Sequence, residues 1–138
     1  MIGTSDALRV GNLMSLDPIV IGSDQPAAEA ERLLKTYRVG GLPVVDQDEL
    51  VGVISQADLM VARSSEMIGA NWQRMRVRHL MTSPAVTIHA TATLAHAAKL
   101  MIQRHIHRLV VVDDDGEPIG VLTTLDLLRA LTEDPATP

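Results

Sequence analysis

Cysteine and phenylalanine are both absent from this 138-residue chain, and one Trp and one Tyr are its whole aromatic complement. Without cysteine there is no disulfide, no thiol nucleophile and no zinc site built on sulfur. Without aromatics, Val, Ile, Leu, Met and Ala must fill the core, which favours a layered α/β interior. No apolar run approaches the roughly 20 residues needed to span a bilayer, so no membrane insertion is expected. Met1–Arg9 has neither the basic region nor the apolar region of a secretory signal, and a cytoplasmic location is the plain expectation. The 12 Lys+Arg against 17 Asp+Glu give a formal net charge of -5, which argues against a nucleic-acid partner. What remains, 46% hydrophobic and 21% charged, is the composition of a folded globular chain.

The chain repeats itself. A shift of 67 residues carries Val10, Leu13 and Met14 onto Val77, Leu80 and Met81, and Ile21 onto Ile88. The same shift carries Ala30 and Leu33 onto Ala97 and Leu100, and Leu42, Val44, Val45 and Asp46 onto Leu109, Val111, Val112 and Asp113. One residue inserted in an acidic turn changes the shift to 68, which carries Gly52, Val53, Ser55, Asp58 and Leu59 onto Gly120, Val121, Thr123, Asp126 and Leu127. Two copies of one supersecondary unit therefore make up nearly the whole sequence.

Each copy reads as strand, helix, strand, strand, helix. A helical turn ending at Leu13-Met14 or Leu80-Met81 leads to an extended piece, Ile19–Ile21 or Val86–Ile88. The next helix is marked in the second copy by Leu94, Ala97, Ala98, Met101 and Ile102 at helical spacing, with Thr91 as its expected N-cap. In the first copy Asp24 is placed to cap, with Pro26 in the first turn. Two strands follow, Leu42–Val45 with Val51–Ile54 and Leu109–Val112 with Ile119–Leu122, and a last helix opens at Gln56–Asp58 or Thr124–Asp126. The expected organisation is a lead-in over 1–9, a repeat over 10–61, a helical linker over 62–76, a second repeat over 77–131 and a frayed tail over 132–138. One copy alone buries little surface, so the two are expected to pack sheet to sheet.

These residues resemble the cystathionine-β-synthase-type (CBS) domains. The resemblance is carried by Val-x-x-Leu-Met before the first strand, Leu-Pro-Val-Val-Asp at Leu42–Asp46 and Gly-Val-Ile-Ser-x-x-Asp at Gly52–Asp58. The second copy repeats the pattern with Ile106-His107-Arg108-Leu109, then Val110–Asp113, then Gly-Val-Leu-Thr-x-x-Asp at Gly120–Asp126. The Ile-His-Arg-Leu run is similar to the nucleotide-sensing repeats of the AMP-activated protein kinase γ subunit. The resemblance implies an α+β fold of two β-α-β-β-α repeats paired about a pseudo-two-fold axis. It also implies clefts for AMP, ADP, ATP, NAD or S-adenosylmethionine, dimerisation, and regulation of an enzyme, channel or transporter rather than catalysis.

Ser55-x-x-Asp58 and Thr123-x-x-Asp126 sit where a strand becomes a helix, and their spacing is that of a capping box. In a CBS pair the same carboxylate is expected to accept the hydroxyls of a ribose diol, while the helix N-terminus favours a phosphate. His107 and Arg108 are candidates for that phosphate, because Arg offers a planar fork of donors. Their counterparts, Gly40 and Gly41, carry no charge, so the two clefts are expected to be unequal, with Asp126 in the principal one. The resemblance places Ile21, Thr87 and Ile88 near the adenine, although for any single one of these positions simple core packing is the stronger reading. The candidate nucleotide-binding residues are therefore Thr123, Asp126, His107, Arg108, Thr87 and Ile88, with Ser55, Asp58, Ile21 and Gly41 in the first copy.

Other signals are faint. His105-x-His107 lacks a third metal ligand, and Asp113–Glu117 lacks the length and final glutamate of a calcium loop, so no metal is expected. His89 and His96 have no evident catalytic partner, and no sequence motif supports a metal-dependent hydrolase. An aliphatic helix face near Leu59-Met60 and Leu127-Leu128 predicts a homodimer. The alternative to a nucleotide-binding regulator is a dimerisation scaffold whose clefts stay empty.

Overall fold

A computed structural model describes residues 8–16 and 18–132. Most of the expected lead-in and all but the first residue of the expected tail lie outside them. In chain order the elements are α1 (Val10–Leu13), β1 (Ser15–Leu16), β2 (Ile21–Gly22), α2 (Ala27–Tyr37), β3 (Gly41–Asp46), β4 (Glu49–Ser55) and α3 (Gln56–Ser64). A 3-10 helix, Gly69–Arg74, separates these from α4 (Val77–Leu80), β5 (Thr87–His89), α5 (Leu94–Arg104), β6 (Arg108–Val112), β7 (Pro118–Thr123) and α6 (Thr124–Thr132).

The described chain forms two compact units, and they do not coincide with the sequence repeats. One is Ile19–Ala85; the other joins the segment ending at Pro18 to the segment beginning at Val86. In the first unit β2 runs parallel to β3, and β3 is antiparallel to β4. In the second, β5 runs parallel to β6, β6 is antiparallel to β7, and β1 adds to the far edge of β7. Both central strands carry a bulge at the same place, between Val44 and Val45 and between Val111 and Val112. Mixed strands and helices thus give the α+β architecture expected from the repeat.

The lead-in turns serve the opposite repeat. Val77 is buried with Ile21, Ala27, Leu34, Leu42, Val44 and Ile54, and its N–H donates to Gln25 O at 2.8 Å. Val10 is buried with Ile88, Leu94, Met101, Leu109 and Leu122, and its N–H donates to Ala92 O at 3.0 Å. Each unit therefore closes its aliphatic core with a Val-x-x-Leu-Met turn that precedes the other copy in sequence. Burying such side chains stabilises by about 1.5–3 kcal/mol each relative to exposure.

Several local expectations are corrected. The N-cap of α5 is Thr93, whose side chain accepts from His96 N at 3.1 Å, while Thr91 lies in the preceding turn and bonds His89. The N-cap of α2 is Pro26 without a side-chain cap bond, because Asp24 is instead paired with Arg78. The expected helical linker is interrupted: α3 ends at Ser64, and the 3-10 helix Gly69–Arg74 places Trp72 in the core, 4.8 Å under the Arg63 guanidinium. The helix face near Leu59-Met60 and Leu127-Leu128 also divides. Leu59 and Leu127 are core residues, whereas Met60 and Leu128, about 100° further round each helix, are 64% and 51% exposed. The replacement of Pro43 by Val110 has a visible use, since the Val110 N–H donates to Val86 O at 3.1 Å.

Candidate functional site

In the second unit, the end of β7 and the start of α6 form a closed local motif. Thr123 N donates to Asp126 Oδ2 at 2.8 Å, and Asp126 N donates to Thr123 Oγ1 at 3.2 Å. These are the two reciprocal bonds of a capping box. Among the described residues no hydrogen bond reaches Asp126 Oδ1. Thr123 lies opposite Arg108 in the β6–β7 ladder, and Thr124 N donates to His107 O at 2.9 Å. Antiparallel register therefore places His107, Arg108, Thr123 and Asp126 at one end of one strand pair. His107 is exposed; Arg108 and Asp126 are half-buried.

The approach to β6 explains how the backbone delivers them. His105, the C-cap of α5, takes a left-handed φ of 55°, and Ile106 N then donates to Met101 O at 3.1 Å. Arg38 does the same after α2, with φ 54° and Val39 N donating to Leu34 O at 3.2 Å. The turn sends the chain straight into β6 or β3 with residues 107–108 or 40–41 at the strand's start.

The first unit builds the same frame with different consequences. Gly41 lies opposite Ser55, and Gln56 N donates to Gly40 O at 3.0 Å. Both oxygens of the Asp58 carboxylate, however, already accept hydrogen bonds. Its Oδ2 accepts from Ser55 N at 2.9 Å and from Ser55 Oγ at 3.0 Å, and its Oδ1 accepts from Thr82 Oγ1 at 3.2 Å. Thr82 is held by two backbone bonds to Val53, each 2.9 Å. Thr82 was not among the residues expected from sequence. Its signal is the 67-residue shift, which pairs it with Ser15, another hydroxyl in the same register against β7. Ser15 makes no hydrogen bond to Asp126 among the described residues.

Ile21 and Ile88 are core residues, 3% and 5% exposed, so core packing accounts for their side chains. Thr87, on β5, is exposed and lies beside Val110. The acidic turn after β6 is occupied with its own backbone: Asp113 Oδ1 accepts from Asp115 N and Glu117 N, both at 2.9 Å. His89 does have partners. Its Nδ1 lies 2.9 Å from Thr91 Oγ1 and accepts the Thr91 N–H, and its Nε2 lies 2.6 Å from Asp114 Oδ1, which ties the end of β5 to the β6–β7 turn. No group of His, Asp and Glu suited to a metal ion occurs among the described residues, and no described helix is long and apolar enough to cross a membrane.

Comparison with known proteins adds to this geometry. A family model described as CBS domain matches residues 10–65 and 77–133. An uncharacterised protein of Methanopyrus kandleri is 30% identical over 124 residues, covering 89% of this chain and 62% of its own length. The inosine-5′-monophosphate dehydrogenase of Methanocaldococcus jannaschii is 32% identical over 114 residues, covering 82% of this chain and 21% of the enzyme. The chain therefore spans only part of these relatives. Among solved structures, a CBS domain pair in complex with 5′-methylthioadenosine and S-adenosyl-L-methionine superposes with a TM-score of 0.79 at 28% identity, covering 89% of this chain and 94% of that one. CBSX2 in complex with AMP superposes with a TM-score of 0.77 at 30% identity, covering 90% and 96%.

Proposed function

The chain belongs to the CBS domain family, and from that membership we propose that it is a regulatory module that binds an adenine nucleotide or adenosyl ligand and signals to a partner. It works as a cytoplasmic homodimer, catalyses nothing itself, and regulates an enzyme or transporter. The observation that carries the reading is the Thr123–Asp126 turn. One carboxylate oxygen is held by the helix cap, which fixes the side chain, and the other, which no hydrogen bond among the described residues reaches, would accept a ribose hydroxyl. The first turn of α6 lends positive potential to a phosphate, and Arg108 with His107 supplies donors at the neighbouring strand start. Two related CBS pairs solved with AMP and with S-adenosyl-L-methionine give the ligand class its support. Ligand binding would favour one conformation of the paired repeats, and the partner would read that shift in population.

The engagement of Asp58 by Ser55 and Thr82 favours a second reading for the first repeat alone, in which that repeat is a scaffold and holds no nucleotide. AMP, ADP, ATP, NAD and S-adenosylmethionine should be tested at millimolar concentration by thermal melting. A ligand that binds only the folded state at about 100 times its Kd stabilises it by roughly 2.7 kcal/mol, a rise of several degrees for a chain of this size. No shift with any of the five would sink the nucleotide reading and leave the scaffold.

A further inference from the structure

Charge is distributed unevenly along this chain. Between Glu66 and Asp113 there is no acidic residue, yet six of the 12 Lys and Arg and all five His fall there. That stretch carries a formal +6 and the rest of the chain -11, which together give the net -5. Its densest part is Arg74–His79, where Val77 is buried while Arg74, Arg76, Arg78 and His79 are exposed. The backbone there is pinned to the start of α2. Met75 O accepts from Ala27 N at 2.7 Å, Val77 N donates to Gln25 O at 2.8 Å, and Arg78 N donates to Ser23 O at 2.9 Å. Two guanidiniums converge on Asp24: Arg76 Nη1 donates to its carbonyl oxygen at 2.7 Å, and Arg78 pairs with its carboxylate. A carbonyl neutralises no charge, and Arg74 has no side-chain partner among the described residues. Three guanidiniums are thus offset by one carboxylate, itself 72% exposed.

The other copy is the control. The 67-residue shift places Ala7, Arg9 and Gly11 where this copy has Arg74, Arg76 and Arg78. The same Val-x-x-Leu-Met turn therefore follows a single arginine there, and the repeat does not require three. We infer that the Arg74–His79 edge holds an acidic segment of a partner protein, whose carboxylates pair with Arg74 and Arg76. Arg76 spends one of its five donors on Asp24 O, and a guanidinium fork matches a carboxylate in two parallel bonds. A nucleic acid fits this edge less well. Its long polyanionic backbone would also meet the field of the remaining -11, and Trp72 is buried, which leaves no exposed aromatic between Glu66 and His79 on which to stack a base. A short acidic segment answers mainly to charges within a Debye length, about 10 Å, where the arginines prevail.

The inference rests on the reading of the chain as a regulator and adds the chemistry of the partner segment it holds. Fluorescence anisotropy of a labelled decapeptide of alternating Glu and Ala tests it on the whole chain without nucleotide. Its failure is therefore distinct from a failure of the melting test for nucleotides. In about 50 mM salt, where screening is modest, the peptide is expected to bind. Arg74→Glu and Arg76→Glu should each weaken it by roughly 5- to 10-fold, because each reverses a charge at an exposed pair. Lys35→Glu makes the same change of charge in the last turn of α2, about 13 Å along the helix from the Pro26 end that pairs with Arg76. It should leave peptide binding unchanged. Arg74 has no side-chain contact among the described residues to lose, so Arg74→Glu keeps the test decisive should Arg76→Glu fail to fold. No binding at millimolar peptide, or equal weakening by Lys35→Glu, overturns the assignment. So does tighter binding of a thymidine oligonucleotide of equal charge, which would mark a nucleic-acid surface instead.

Discussion

Asp126→Ala is expected to lower the affinity for an adenine nucleotide by roughly 10- to 150-fold, the equivalent of about 1.5–3 kcal/mol for hydrogen bonds to a charged group. The expectation rests on Oδ2 being already fixed by Thr123 N at 2.8 Å, so that little side-chain freedom would be lost if Oδ1 met a ribose hydroxyl. Asp58→Ala should cost much less. In the native chain a ribose at Asp58 would compete with Thr82 Oγ1 for Oδ1, and Ser55 N and Oγ already bond Oδ2. Gly40 and Gly41 add no charge where the other repeat has His107 and Arg108. Arg108→Ala should weaken a di- or triphosphate more than it weakens adenosine, because a guanidinium fork pairs with phosphate oxygens, which adenosine lacks. Isothermal titration of the three variants with one nucleotide and with adenosine separates these effects. If Asp58→Ala removed the tighter binding event while Asp126→Ala left it intact, the principal site would lie in the first repeat.

The unequal repeats could be anticipated from sequence because their difference is one of charge. Gly40-Gly41 against His107-Arg108 is visible as soon as the copies are aligned, and so are the strands, whose aliphatic runs are bounded by turns. The Thr82 contact was not legible, since it depends on a lead-in segment crossing to the opposite repeat and pairing with Val53. Local patterning assigns Met81-Thr82 to the copy that follows it, whereas packing assigns it to the copy before. The helix caps failed for a related reason. Asp24 and Thr91 both have the right chemistry for an N-cap, but each is drawn to another partner, Arg78 and His89. Phase was the third weakness: adjacent residues Leu127 and Leu128 are equally apolar, and only the helix's orientation on its sheet decides which one is core.

That crossing of the lead-in segments predicts where a small substitution should do the most structural harm. Gly120 sits in β7 between β6 and β1, opposite Val111 on one side and Leu16 on the other. A Cβ at this position would lie 2.5 Å from Met14 Sδ and 2.8 Å from Ser15 O. The methionine can swing away, but the Ser15 carbonyl belongs to the backbone of β1 and cannot move without giving up the β1–β7 pairing. Gly52 faces the same obstacle in the other unit, with Thr82 O at 2.7 Å and Met81 Sδ at 2.8 Å. Gly120→Val and Gly52→Val should therefore each destabilise by about 3 kcal/mol, the upper end of what overpacking usually costs. Gly22→Ala provides the control, because its nearest neighbour is Gln25 Cγ at 3.6 Å, an ordinary contact. Urea denaturation should show a clear drop in midpoint for both valine variants and little change for Gly22→Ala. Gly52→Val carries a second signature: moving Thr82 off β4 frees Asp58 Oδ1, so nucleotide binding by the first repeat should strengthen while the fold weakens. Equal midpoints for Gly120→Val and Gly22→Ala would mean that Met14-Ser15 does not lie against β7, and the crossing of the lead-in segments would have to be abandoned.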